Sequence, residues 1–296
     1  MAFAGGTGTY EDPYLVETAA QLNDVRNNLD ASFKQIADID LSADYPEWIS
    51  IAGTYNQQTY QQELFSGNYD GGGFSISGLR VTTATAHVFG YGLFGVVTSS
   101  NMDHPGLAMP HFTDIHLVDA YVNVEGEASQ GALIGGCEVP VVITKCTSSG
   151  YVKGYSDIGG LVGGMYTWDA GSLIENCSSS CTVVATGRYG DAGGLIGNFN
   201  CNVDVVNIIR KCFATGDISG TSYIGGLLGG FDVDSVQNSS IIEDCYAAGH
   251  ITAVDTNNDG YIGGFIGDAE GVVTYKNCYS CCNMTVTTTS TDFGGF

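Results

Sequence analysis

The chain has 296 residues, enough for one large domain or two small ones, and carries 43 Gly but only 5 Pro. Gly at about twice its average usage, spread without a G-X-Y period, excludes collagen, and a hydrophobic content of 44% excludes a disordered chain. Nine basic against 32 acidic residues give a net charge of −23, which repels phosphate backbones and anionic lipid, so neither nucleic acid nor a lipid surface is an expected partner.

From the N-terminus, Ala2-Phe3-Ala4 reads as the A-x-A tail of a removed secretory signal, and no run of apolar residues is long enough to insert in a membrane. Thr18 to Asn28 sets Leu22, Val25 and Leu29 on one helical face, with Thr18 as N-cap. The stretches 33–41 and 74–79 read as strands. Residues 1–80 are therefore expected to form an N-terminal cap and first rungs, with one short helix. Residues 81–296 are expected to form a single repeat solenoid, because stacked repeats need a cap to hide the first rung.

The repeat is a Gly-apolar-apolar-Gly core: Gly92-Leu93-Phe94-Gly95, Ala132-Leu133-Ile134-Gly135, Gly160-Leu161-Val162-Gly163, Gly194-Leu195-Ile196-Gly197, Gly226-Leu227-Leu228-Gly229 and Gly264-Phe265-Ile266-Gly267. Phe293-Gly294-Gly295-Phe296 opens another, so the period is about 34 residues. A helical array of that period is excluded, since each core Gly costs a helix about 1 kcal/mol against Ala and the apolar positions lack helical spacing. Ile, Val, Thr, Tyr and Phe favour strands instead, and each repeat reads as three short strands. Stacked rung on rung, these make an all-β parallel β-helix with a continuous core.

Stacking turns equivalent positions into columns. One reads Thr144, Glu175, Arg210, Glu243, Lys276; the next reads Lys145, Asn176, Lys211, Asp244, Asn277; an aromatic column holds Phe213, Tyr246 and Tyr279. Alternating charge in the first column fixes register, because a slip by one rung sets like charges together.

The Gly-Gly-Leu-φ-Gly cores resemble the GLUG-motif repeats of large bacterial and archaeal surface proteins. Gly8 to Val16, Asp38-Ile39-Asp40-Leu41 and Asn68-Tyr69-Asp70-Gly71-Gly72-Gly73 are similar to the module that opens such arrays. The resemblance implies a right-handed β-helix, an extracellular address and no catalytic residues. The Cys content departs from many members and suits, by looser analogy, Cys-rich methanogen sheath or surface-layer proteins.

The ten cysteines are 137, 146, 177, 181, 201, 212, 245, 278, 281 and 282. Cys146, Cys177, Cys212, Cys245 and Cys278 form a column of their own, which as buried thiols would simply pack. An oxidising compartment makes all ten (Cys137, Cys181, Cys201, Cys281 and Cys282 with the column) disulfide candidates. Cys177 with Cys181 and Cys278 with Cys282 share one offset, while column neighbours would strain a bridge. A tetrahedral zinc site is disfavoured, since Cys278-x-x-Cys281 stands without a second pair.

Other candidates are weaker. Asp255, Asn257 and Asp259 match the first half of an EF-hand loop, but its twelfth position is Ile266, so calcium is the only cofactor in view. His104, His111, Asp114 and His116 form a surface insertion or a metal site. Asn176, Asn238 and Asn283 begin glycosylation sequons.

A polysaccharide lyase would need clustered carboxylates or a basic residue beside bound calcium. Arg210, Lys211 and Lys276 are explained by the charge columns, and Arg188 and Asp191 sit in a turn. The expected function is an exported structural surface protein, not an enzyme, that stacks with copies of itself or with other surface proteins into a sheath, layer or filament. The incomplete core at residue 293 motivates the stacking. The alternative is an adhesin stalk that binds glycans through turn residues such as Tyr166, Trp168 and Asp169.

Overall fold

The computed structural model describes residues 2–56, 61–84, 90–98, 109–167, 170–201, 205–233, 240–254, 260–287 and 292–295. It is a β-solenoid whose rungs stack along one axis. Four sheets, of nine, thirteen, six and six strands, carry the stack, and every strand pair in them is parallel. A separate antiparallel ribbon joins Tyr55–Asn56 to Gln61–Gln62.

One rung contains Ile208–Arg210, Phe213–Ala214, Ile218–Gly220, Ile224–Gly225 and Leu228–Val233. Five strands replace the three expected, because Phe213–Ala214 after the Cys is a strand of its own and the Gly core is not one strand. Its Gly-Gly step turns a corner between Ile224–Gly225 and Leu228–Val233. At Gly225 a Cβ would strike the Leu228 carbonyl and lie 2.5 Å from the Gly267 nitrogen of the next rung. Glycine is required there by the close approach of two backbones.

Inward positions repeat as apolar columns. Leu133, Leu161, Leu195, Leu227 and Phe265 are all fully buried, and each backbone N–H donates to the carbonyl of the next at 2.7–2.9 Å. Ile143, Ile174, Ile209 and Ile242 make a second such column. Each fully buried side chain contributes about 1.5–3 kcal/mol of transfer free energy. The stack therefore needs no core beyond its own axis.

The N-terminal segment enters the same frame. Tyr14–Val16, Ser32–Gln35, Asn68–Asp70 and His111–Thr113 are successive strands of the nine-stranded sheet. The expected helix runs from Ala19 to Asp24, with Thr18 Oγ1 accepting from the Gln21 N–H at 3.3 Å, and buries Leu22. The stretch 33–41 is two strands, Ser32–Gln35 and Ile39–Asp40, rather than one.

Candidate functional site

The register sets Thr144, Glu175, Arg210, Glu243 and Lys276 in one line, each the Cα partner of the next. Arg210 Nη2 donates to Glu175 Oε2 at 2.9 Å, and Lys211 Nζ lies 3.5 Å from Glu175 Oε1. These cations hold the Glu175 carboxyl below its usual range, the hydrogen bond from Arg210 first. Phe213, Tyr246 and Tyr279 stack as expected, with centroids 4.9 and 5.3 Å apart and planes within 3° and 7°. Stacked this way the rings cover one another's faces and present edges to solvent.

The second charged column stacks at a corner, where Asn277 Nδ2 donates to Asp244 Oδ1 of the preceding rung at 2.9 Å. Asp114, Lys145, Asn176, Lys211, Asp244 and Asn277 all have φ between 52° and 56°. Left-handed backbone selects Asn and Asp there, so backbone geometry explains most of this column. Asp114 occupies the turn position of this corner. His116 Nδ1 shares a hydrogen bond with Thr147 Oγ1 at 2.9 Å, and its Nε2 lies 3.6 Å from Asp114 Oδ1. His111 stands apart on the outer face, where burial lowers its pKa. Among the described residues no three His, Cys, Asp or Glu side chains converge on a point that could hold a metal. Asp255, Asn257 and Asp259, with His104, Trp168, Asp169 and Asn238, lie outside the described residues. Asn176 and Asn283 are exposed.

No disulfide is seen among the described residues, which include all ten cysteines. The Cys177 thiol donates to the Ile143 carbonyl at 3.4 Å and the Glu175 carbonyl at 3.3 Å instead of joining Cys181. The column Cys146, Cys177, Cys212, Cys245 and Cys278 repeats one posture. Each thiol meets the carbonyl two residues before it, at 3.1–3.3 Å, and a carbonyl of the preceding rung, at 3.3–3.7 Å. Side by side along a parallel sheet, such Cβ vectors suit contact rather than a bridge.

Two further arrangements were not visible in the sequence. The first is a groove of about 380 Å³ on the outer face of the earliest rungs. The exposed ring of Tyr10 walls it, and Lys34, Asn68, Asp70, His111 and Thr113 line it. Lys34 Nζ lies 3.5 Å from Asp70 Oδ2, and Asn68 bridges Ser32 Oγ and the His111 N–H at 3.0 Å each. No spacing rule joins residues 10, 34, 70 and 111; only the register of three rungs does. The second is a carboxyl pair, Asp157 and Asp191, at one corner of neighbouring rungs. Asp157 accepts from Tyr166 Oη at 2.6 Å and Ser156 Oγ at 3.0 Å, and Asp191 accepts from Asn198 Nδ2 at 3.3 Å. Burial first, and then Asp157, push the Asp191 carboxyl up to about 8. Tyr166 thus gives its hydroxyl hydrogen bond to this cluster.

No family model matches the chain. It is 36% identical over 140 residues to a proposed Gly-rich membrane protein of Evansella cellulosilytica, covering 45% of this chain and 14% of that protein. It is 32% identical over 266 residues to halomucin of Haloquadratum walsbyi, covering 78% of this chain and 3% of halomucin. The chain thus spans a small fraction of either relative. A crystal structure of a proposed immunoglobulin A1 protease from Bacteroides ovatus matches with a TM-score of 0.76 over 99% of this chain and 86% of that one, at 23% identity. At that identity the likeness establishes the β-solenoid fold alone. No helix among the described residues is long and apolar enough to cross a membrane.

Proposed function

We propose that the chain is an exported structural module of a cell-surface protein, a stiff acidic rod that works by its shape and not by catalysis. The observation that carries this reading is the continuous parallel register of the nine-stranded sheet. Each part of a repeat pairs with the same part of the next, from Tyr14 to Lys276 along one sheet. Such a stack contacts only its neighbours, so its length follows from the number of repeats. Similarity to short stretches of much longer proteins, one of them named a membrane protein and one halomucin, supports a modular surface role. Its partners in this reading are copies of itself or other surface proteins, joined end to end or laterally, in a sheath, layer or filament.

Small-angle scattering and electron microscopy of the purified chain test this. A rod-shaped particle that adds end to end or side by side with rising concentration is expected. Isolated particles at every concentration would remove self-assembly, and cleavage of uronate polymers in the presence of calcium would replace the structural reading with a lyase. Glycan binding is a second reading, favoured by the Tyr10 groove. It predicts array binding that Tyr10→Ala abolishes, and an array without hits would end it.

A further inference from the structure

We propose that the file Cys146–Cys177–Cys212–Cys245–Cys278 is a binding site for soft monovalent d10 cations of the Cu(I) and Ag(I) class, each held between the sulfurs of two successive rungs. Four observations lead there. The five cysteines occupy one position in five consecutive rungs, bracketed by register pairs on both sides. The first four are fully buried or within 1% of it, and Cys278 is half-buried. Neighbouring rungs bring file members against each other, the Cys212 backbone N–H lying 3.4 Å from Cys245 Sγ. Every sulfur faces carbonyl oxygens, two per thiol, at 3.1–3.7 Å.

Coordination number decides the metal. A single file gives each sulfur one sulfur above and one below, and no third His, Cys, Asp or Glu converges among the described residues. Zinc needs four ligands in a tetrahedron and cannot be served. Thiolate is the soft donor that selects Cu(I), and a d10 monovalent ion accepts two such donors in line. With metal–sulfur bonds close to the zinc–thiolate length of about 2.3 Å, a linear pair spans about 4.6 Å. The rung spacing of a parallel stack is about 4.8 Å.

Charge decides the stoichiometry. A bare thiolate in this core would face carbonyl dipoles and lack water, and burial pushes the Cys146 and Cys212 thiols well above their usual range. A cation that takes the place of the proton removes that cost. Each ion displaces one thiol proton and bonds to two sulfurs. Five sulfurs in file therefore hold four ions and release four protons, leaving four thiolates, one thiol and no net charge. No oxidant or reductant is consumed.

The test uses Ag(I) in chloride-free buffer on the reduced chain carrying Cys281→Ser and Cys282→Ser, which removes the two cysteines outside the file near the surface. Bound ions are counted by native mass spectrometry at constant occupancy, with proton release measured alongside. Four file ions and one proton per ion are expected. Cys212→Val, folded by circular dichroism, should lose two ions, because it splits the file into two pairs. Cys278→Val should lose one. Loss of a single ion from Cys212→Val would mean independent thiols and overturn the proposal, as would no loss. If Cys212→Val fails to fold, Cys177→Ala decides the matter: it also interrupts the file and should lose two ions.

Discussion

Arg210 and Glu175 meet across one rung boundary, Nη2 to Oε2 at 2.9 Å, as direct Cα partners in a parallel sheet. The pair is partly exposed, so its direct contribution to stability is modest and screened by salt. Its stronger effect is on register, because Glu243 follows Arg210 in the same column. Arg210→Glu places three carboxylates in line at Glu175, 210 and Glu243. It should lower the melting temperature more than Arg210→Met does, and added salt should narrow the gap between the two. Equal melting temperatures for both variants at low salt would show that the column does not set register.

Gly225 and Gly126 separate two reasons for glycine. A Cβ at position 225 meets the Leu228 carbonyl and the Gly267 backbone of the next rung, neither of which can move without breaking the stack. Gly225→Ala should cost more than about 4 kcal/mol or prevent folding. Gly126 has φ +76°, and a Cβ added there would have nothing within 4 Å, so Gly126→Ala meets backbone strain alone. About 1–2 kcal/mol is expected there. Urea denaturation of both variants checks the contrast.

Ile209 lies in the middle of the fully buried Ile143–Ile174–Ile209–Ile242 column. Shortening it to alanine leaves a cavity that its neighbours above and below, fixed by sheet register, cannot collapse into. Ile209→Ala should cost about 2–5 kcal/mol by urea denaturation, whereas Ile209→Val should cost about 0.5–1.5 kcal/mol. A broadened or two-step transition is also expected, since a stack weakened at one rung can lose cooperativity across it.

Much of this fold was legible because a period of about 34 residues aligns positions that the rungs then superimpose. The Glu175–Arg210–Glu243–Lys276 line and the Phe213–Tyr246–Tyr279 stack were both readable that way. Backbone conformation was not. Lys145, Asn176, Lys211, Asp244 and Asn277 were readable as a column, but not as five left-handed corners. Periodicity gives the column but not the φ of its members. The Cys177–Cys181 offset suggested a bridge because sequence distance carries no direction, and the Cys177 thiol turns toward carbonyls. The Tyr10 groove was invisible for another reason: its walls come from the cap and from the strand at 111–113, which no repeat motif aligns with one another.

Asp191 makes stability depend on pH in a defined direction. Its carboxyl is raised to about 8 by burial, then by Asp157 and, more distantly, Asp268; Ser129, Ser156 and Tyr166 donate to Asp157, and Asn198 donates to Asp191. In the unfolded chain the same carboxyl titrates near its ordinary value of 3.8. Below about pH 4 both states hold the proton and Asp191 has no effect. Between about pH 4 and 8 the unfolded chain releases the proton while the folded chain keeps it, so the unfolded state gains and stability falls as pH rises. Above about pH 8 the loss is complete. Asp191→Asn keeps the shape and an acceptor for Asn198 but cannot ionise. It should therefore match the parent near pH 4 and exceed it at pH 8.5 by a few kcal/mol, at about 1.4 kcal/mol per tenfold change in proton affinity. Chemical denaturation at the two pH values measures the difference. A variant less stable than the parent at pH 8.5 would mean that Asp191 does not carry an unfavourable charge in the folded state.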